Sequence, residues 1–324
     1  MDKISIVVPC FNEEQSLKAF YKETSKVLKT LPVTYELIFV NDGSRDNTLS
    51  IIKEIGYKTP TVNYISFSRN FGKEAAMYAG LKNASGDYVV IMDADLQHPP
   101  YLLKQMYNKI SLKGYDCVGA KRISRDKKSG VRNFLSKGFY KVMHKLTSNN
   151  ENDAGDYRMM NRQYVEAMLS MKEVNRYTKG IMNYVGFNCF TIEYENVERI
   201  AGKSKWSLIS LMKYAIEGIV SFSTLPLVLP FFIGGLLLMA SIIVLLQQFI
   251  MMLISSANTT LVIISTIFFG ISLILISVGV VGEYLAKMYN EIKQRPVYII
   301  SESYFHKAVE SQLLIQMSQE RLNS

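Results

Sequence analysis

Apolar and polar positions follow two periods along the first two hundred residues, then merge into unbroken apolar runs from about residue 227. Short apolar runs over Lys3–Pro9, Glu36–Asn41, Val62–Phe67, Tyr88–Met92 and Asp116–Ala120 predict strands. Between the first two, Leu17, Phe20, Tyr21, Val27, Leu28 and Leu31 recur at helical spacing, which predicts a helix over Glu13–Leu31. Further helices are predicted over Lys73–Asn83, over Pro100–Leu112, and after Asp46-Asn47-Thr48, whose side chains suit a helix N-cap. Strand and helix in alternation predict a mostly parallel, doubly wound α/β sheet.

The apolar runs Leu227–Ile254 and Leu261–Leu285 each exceed the ~20 residues needed to cross a bilayer. No Asp, Glu, Lys or Arg occurs between Glu217 and Glu283, and the uncharged stretch 255–260 reads as a hairpin between two spans. Two amphipathic stripes accompany them. Val131, Phe134, Leu135, Phe139, Val142, Met143 and Leu146 form one, with Lys137, Lys141 and Lys145 off it; Leu208, Leu211, Met212, Ala215, Ile216, Ile219 and Val220 form the other. The basic flank of the first and the position of the second suit helices lying on a membrane surface. The expected organisation is an α/β domain over 1–205, an interfacial helix over 206–225, a transmembrane hairpin over 226–286 and a C-terminal tail over 287–324.

Charge adds direction to this picture. The chain carries 37 Lys and Arg against 28 Asp and Glu, a net charge of +9, and every basic residue lies outside the two spans. Lys287, Lys293 and Arg295 follow the second span, so the positive-inside rule predicts a multi-pass protein of the cell membrane with both termini and the α/β domain cytoplasmic. Met1-Asp2-Lys3 runs straight into a strand, and no cleavable signal peptide is expected. Cys10, Cys117 and Cys189 are isolated, which suits a reducing compartment, and His98, His144 and His306 are too scattered for a zinc cluster. No nucleic-acid recognition motif accompanies the positive charge. An anionic bilayer is the better partner.

The chemistry gathers at strand ends. Asp93-Ala94-Asp95-Leu96-Gln97 closes the run Tyr88–Met92 and places two carboxylates at the carboxyl edge of the sheet, where open α/β sheets bind ligands. Two carboxylates and an amide oxygen form a hard-oxygen set suited to Mg²⁺ or Mn²⁺, ions that usually also hold substrate phosphates. His98-Pro99-Pro100 follow, with proline well placed to start a helix. Pro9-Cys10-Phe11-Asn12-Glu13 and Asn41-Asp42-Gly43-Ser44 end the first two strands and open on the same edge. Neither a G-x-G-x-x-G nor a G-x-x-x-x-G-K-[ST] phosphate loop occurs, so a nucleotide would be held by other means.

Val-Val-Pro-Cys-Phe-Asn-Glu-Glu (7–14), Phe-Val-Asn-Asp-Gly-Ser (39–44), Ser-Arg-Asn-Phe-Gly-Lys-Glu (68–74) and Asp-Ala-Asp-Leu-Gln-His-Pro-Pro (93–100) resemble family 2 glycosyltransferases of the GT-A fold. Gly155-Asp156-Tyr157-Arg158, Arg176-Tyr177-Thr178-Lys179-Gly180 and the segment from Arg199 to Trp206 resemble the polyprenyl-phosphate branch, which includes dolichol-phosphate mannosyltransferases and bactoprenol glucosyltransferases. The resemblance runs from residue 1 to about 300 and includes the two-span anchor. It implies inverting transfer of a sugar, glucose first, from a UDP-sugar to polyprenyl (undecaprenyl) phosphate, for cell-envelope (cell-wall) glycan modification.

By the same resemblance, Pro9, Phe11, Glu13 and Asp42 would line the base and ribose pocket, with Lys73 in the donor wall. Asp93, Asp95 and Gln97 would hold the metal against the donor diphosphate, and Asp156 together with Asp95 would serve catalysis, Asp156 as orienter of the acceptor or as base. An acceptor phosphate monoester has a second pKa of about 6, so it is already largely dianionic and needs no strong base. Arg122, Arg132, Arg199 and Lys205 are the cations assigned to it, since basic side chains match phosphate oxygens. Donors carrying N-acetylglucosamine or N-acetylgalactosamine, or GDP-mannose, are the alternatives within this reaction. A processive polysaccharide synthase would call for Gln-x-x-Arg-Trp and more spans, where this chain has Lys-Ser-Lys-Trp and two. A silent membrane scaffold would not need the Asp93, Asp95, Gln97 and Asp156 set. Related enzymes suggest a homo-oligomer packed through the spans.

The charge pattern yields a direct test of topology: reporter fusions at either terminus should be protected from externally added protease. A C-terminus cleaved from outside would show that one span is misread.

Overall fold

β1 (Lys3–Cys10) lies near the middle of the sheet in the computed structural model, which describes residues 1–123, 155–174, 176–195 and 259–306 together with positions 239 and 243. Ile4, Ile6, Val7 and Val8 are fully buried, so consecutive residues of β1 face covered surfaces on both sides of the sheet. β2 (Thr34–Asn41) and β4 (Tyr88–Ile91) flank β1 in parallel, and β3 (Val62–Phe67) continues the parallel set beyond β2. α1 (Leu17–Leu28), α2 (Thr48–Lys58) and α3 (Lys73–Asn83) make the crossovers between these strands, and α4 (Leu102–Lys113) leads from β4 to β5 (Cys117–Ile123). Phe20 of α1 meets Phe39 of β2 edge-on at 6.2 Å. α3 packs closest: a Cβ added at Gly80 would stand 2.1 Å from Val7 Cγ1, so only glycine allows this approach to β1.

Element ends differ from the sequence reading for local reasons. α1 begins at Leu17 rather than Glu13, because residues 13–16 form a turn in which the Ser16 and Leu17 N–H groups donate to the Glu13 carbonyl. α4 begins at Leu102 rather than Pro100, after a turn in which the Leu102 and Leu103 N–H groups donate to the Pro99 and Pro100 carbonyls.

The second half of the sheet breaks the parallel rule. β5 (Cys117–Ile123) is followed in the described residues by β6 (Arg158–Asn161), which inserts between β4 and β5 antiparallel to both. α5 (Arg162–Ser170) starts from Asn161, whose side chain accepts from the Tyr164 N–H at 2.8 Å. α6 (Thr178–Tyr184) leads to β7 (Cys189–Glu195), parallel to β5. β8 (Ile300–Tyr304) then pairs antiparallel with β3, and the order is β7-β5-β6-β4-β1-β2-β3-β8. Within the stretch 287–324 expected as a tail, β8 supplies an edge strand. Tyr304 stacks on Tyr64 at 5.9 Å, and Glu302 pairs with Lys53 at 2.7 Å.

The described residues fall into two compact units, one holding all eight strands and the other α7 (Thr259–Ile292). α7 has 34 residues and is about 51 Å long at 1.5 Å per residue. Among the described residues no helix is long and apolar enough to cross a membrane. The sequence of α7 has no charged residue before Glu283. The amphipathic stripes at 131–146 and 208–220, the hairpin residues 255–258 and, apart from 239 and 243, the first apolar run lie outside the described residues.

The amino end of the sheet holds one buried charge, Glu36 of β2, 6% exposed. Its Oε1 accepts from Ser5 Oγ at 2.6 Å, the Ser85 N–H at 2.8 Å and Ser85 Oγ at 2.9 Å. Its Oε2 accepts from Asn63 Nδ2 at 3.1 Å and lies 3.0 Å from Lys3 Nζ. Burial pushes this carboxyl up, but the Ser5, Ser85 and Lys3 donors together outweigh it and hold the group below its ordinary value. A depressed folded pKa contributes stability above the unfolded value of about 4.3, lost as pH falls through the folded value. Glu36→Ala should lower the unfolding free energy at pH 7 by about 3 kcal/mol, since it strands the Ser5 and Asn63 donors. Urea denaturation followed from neutral to acid pH should also show a flatter acid limb in the variant; an acid limb identical to the parent's would contradict the assignment.

Candidate active site

β1, β2, β3 and β4 all end on one edge, so the loops at 11–13, 42–44, 68–72 and 92–97 open together. β6 runs the other way and begins on that edge. Ile91 pairs with Arg158 in the β4–β6 ladder, and continuing this register by two places sets Asp93 opposite Asp156. Two carboxylates facing each other across a strand pair repel. Lys73, the first residue of α3, answers them both: its Nζ lies 2.7 Å from Asp93 Oδ1, 3.0 Å from Asp93 Oδ2 and 2.8 Å from Asp156 Oδ2.

The chain ahead of α3 fixes that lysine. Asp42 Oδ1 accepts from the Phe71 N–H at 2.6 Å, and its Oδ2 accepts from the Gly72 N–H at 3.0 Å. Burial raises the Asp42 carboxyl despite these two N–H groups and the nearby Arg69. At Lys73, burial would lower the ammonium, but Asp93 and Asp156 more than reverse this, and it stays charged well above the ordinary lysine range. Burial likewise pushes the Asp156 carboxyl up, yet Lys73 and Lys179 hold it well below the usual carboxylate range. Asp156 is also rigidly framed. Tyr157 is fully buried, donates its hydroxyl to the Pro99 carbonyl at 3.0 Å and stacks on the His98 ring at 4.8 Å. Burial lowers the His98 pKa, so its neutral ring accepts the Asp93 N–H at Nδ1, 3.0 Å away.

Asp95 Oδ1 accepts from the Gln97 N–H at 3.0 Å across Leu96, which adopts a left-handed φ of 58°. Among the described residues no group of three or more His, Cys, Asp or Glu side chains is arranged around a metal position. Two carboxylates nonetheless fit Mg²⁺, which keeps water and phosphate oxygens in its other positions. Asp93 already has one cationic partner there, the Lys73 ammonium.

A cavity of about 550 Å³ opens on the same edge, with Phe11, Asn12, Gly43, Ser44, Arg45 and Arg69 in its wall. Of the four residues expected to line a base and ribose pocket, Phe11 is in this wall. Pro9 sits within β1 opposite Val40, and Asp42 closes the turn before α3. Glu13 accepts from Ser16 Oγ at 2.8 Å, while its own N–H donates to Thr48 Oγ1 at 2.8 Å. Arg45 and Arg69 are cavity cations that the residue pattern did not single out. Arg122 is exposed near the carboxyl end of β5, opposite Tyr194 of β7. Arg132, Arg199 and Lys205 lie outside the described residues.

A second layer was also missed. Glu74 accepts from the Thr178 N–H at 3.0 Å and from its hydroxyl, and the Arg176 guanidinium lies 4.2 Å from the Tyr78 ring centre. α3 is thereby tied to the Arg-Tyr-Thr-Lys-Gly segment that carries Lys179. An acid in the first turn of α3 was the available signal, but nothing in the pattern named its partner.

Comparison with known proteins shows the family of the chain. Residues 5–169 match the model of glycosyl transferase family 2. The chain is 43% identical over 303 residues to the candidate glycosyltransferase CsbB of Bacillus subtilis (strain 168), covering 93% of this chain and 92% of that protein. It is 40% identical over 306 residues to the SfII prophage-derived bactoprenol glucosyl transferase of Shigella flexneri, covering 93% and 98%. Among solved structures, mannosyl-3-phosphoglycerate synthase from Rubrobacter xylanophilus superposes with a TM-score of 0.48 at 16% identity, covering 67% of this chain and 72% of that one.

The cavity depends on Gly43. Its φ is +64°, and an added Cβ would stand 2.4 Å from the Arg69 carbonyl carbon. Gly43→Ala should cost roughly 1–3 kcal/mol in thermal unfolding and weaken binding of a nucleoside diphosphate. A variant that melts and binds like the parent would show that the two loops do not need this close approach.

Proposed function

The chain belongs to glycosyl transferase family 2, and from that premise we propose that it transfers glucose from UDP-glucose to a polyprenyl phosphate, undecaprenyl phosphate in the first instance. The observation that carries the reading is the Asp93–Lys73–Asp156 constellation, which shares one sheet edge with the cavity. Relatives named for glucosyl transfer to bactoprenol, at 40% identity over nearly their full length, support the choice of sugar and acceptor.

In this reading the cavity takes the nucleoside, and Arg45 and Arg69 add positive charge for its phosphates. Asp93 and Asp95, with Gln97 beside them, would hold Mg²⁺ or Mn²⁺. When bound, that ion neutralises charge developing on the leaving diphosphate. Asp156 acts by position: Tyr157 and Lys73 fix its carboxylate where an acceptor must meet the donor, and a dianionic phosphate brings its own nucleophilic oxygen. Attack from the face opposite the leaving group gives inversion. Arg122, with Arg132, Arg199 and Lys205, would offset the acceptor's charge.

The α/β domain over 1–205 would work on the cytoplasmic face of the cell membrane, with the helix at 206–225 at the interface and two spans within 226–286. Ile263, Ile267, Ile274, Val278, Val281 and Leu285 are large, apolar and exposed along α7, which supports contact with lipid. A homo-oligomer packed through the spans, and use of the product in cell-envelope glycan modification, complete the proposal.

Labelled UDP-glucose, UDP-N-acetylglucosamine, UDP-N-acetylgalactosamine and GDP-mannose should be offered to the full-length protein with undecaprenyl phosphate. Label should enter the lipid from UDP-glucose, stop with EDTA and return with Mg²⁺ or Mn²⁺. Asp93→Asn/Asp95→Asn should be inactive. Asp156→Asn should transfer about ten- to a hundredfold more slowly, matching a lost charge-assisted contact of roughly 1.5–3 kcal/mol, with UDP binding little changed. No lipid-borne label from any donor would sink the reading.

A further inference from the structure

The Lys73 ammonium occupies a place where two functions meet. Both oxygens of Asp93 lie within 3.0 Å of it, and the same nitrogen is 2.8 Å from Asp156. It cannot drift freely, because Asp42 holds the Phe71 and Gly72 N–H groups immediately before it and Gly80 seats α3 on β1. We propose that Lys73 is a resident counter-ion of the donor site. Its ammonium holds the positive charge at Asp93 until a nucleoside diphosphate arrives, so the divalent ion binds together with the nucleotide and not before it. The inference rests on the reading of Asp93 and Asp95 as metal ligands.

Electrostatics supply the reason. A divalent ion on Asp93 would stand within a few ångströms of the ammonium, and two cations that close repel strongly in a half-buried site. Asp93, Asp95 and Asp156 bring three negative charges to this edge, and Lys73 with Lys179 beside Asp156 already answer two of them, so a divalent ion added alone leaves the edge with excess positive charge. A diphosphate brings the missing negative charge. Asp156 then gives Lys73 a partner that does not compete with the metal, so the ammonium need not return to solvent. Lys73 is in this sense a positioning residue: it sets the order of binding and keeps Asp156 in place.

The test is Mn²⁺ binding to the full-length protein, read from the electron paramagnetic resonance signal of free Mn²⁺, with and without UDP. The parent should bind Mn²⁺ at least tenfold more tightly when UDP is present. Lys73→Met should bind Mn²⁺ without UDP at least tenfold more tightly than the parent, and Lys73→Arg should behave as the parent does. Asp156→Asn, which leaves the ammonium wholly to Asp93, should weaken nucleotide-free binding about threefold or more. Lys73→Met that binds Mn²⁺ alone no more tightly than the parent would overturn the proposal. Should that variant fail to fold, as judged by its circular dichroism, Asp156→Asn decides: nucleotide-free affinity equal to the parent's overturns it. Tight Mn²⁺ binding by the parent without UDP sinks the role of Lys73 alone. UDP-dependent binding that survives Asp93→Asn/Asp95→Asn sinks the donor-site reading with it.

Discussion

The parallel strands at the centre of this sheet are covered on both faces, and that constraint decides where chemistry can sit. Ile4, Ile6, Val7 and Val8 in β1, and Leu37, Ile38, Phe39 and Val40 in β2, are fully buried. A polar side chain among them must find its partners inside the protein. Glu36 does so with Ser5, Asn63, Ser85 and Lys3 at the amino end. At the carboxyl end the chain leaves the sheet, and charged groups can be partnered by one another, by solvent or by a ligand. The reactive edge is thus a consequence of the core.

One reversal of direction completes that edge. Had β6 run parallel to β4, its leading residues would lie at the far end of the sheet. Running antiparallel, it delivers Asp156 opposite Asp93, and the repulsion between the two carboxylates is relieved by Lys73. The lysine is in reach because Gly80 lets α3 sit hard against Val7 and because Asp42 closes the turn at Phe71 and Gly72. Glu74 and Tyr78 of the same helix hold Thr178 and Arg176, so a single helix links the charged edge to the segment bearing Lys179. Fold, electrostatics and site are joined through α3.

Much of this was legible in the residue pattern where the period was clear. Val62–Phe67 and Lys73–Asn83 coincide with β3 and α3, and the acids after Tyr88–Met92 lie on the edge where the alternation of strands and helices put them. β6 was not legible, because four residues are too few to show a period. β8 reads Ile-Ser-Glu-Ser-Tyr, an edge strand whose polar residues resemble a tail. Glu13 and Asp42 illustrate a different limit. An acid at a strand end suits a ligand and a turn equally well, and here both carboxylates accept hydrogen bonds from the protein itself. The pairing of Lys73 with two acids 20 and 83 residues away was beyond any local pattern.

In the proposed reaction a divalent ion and a sugar-nucleotide diphosphate meet at the edge formed by Asp93 and Asp95. Electron–nuclear double resonance on Mn²⁺ bound with UDP tests it most directly. Phosphorus hyperfine coupling from the diphosphate is expected in the parent protein and is expected to be absent from Asp93→Asn/Asp95→Asn. Mn²⁺ bound without phosphorus coupling, or coupling that persists in the double variant, would place the metal elsewhere and contradict the roles given to Asp93 and Asp95.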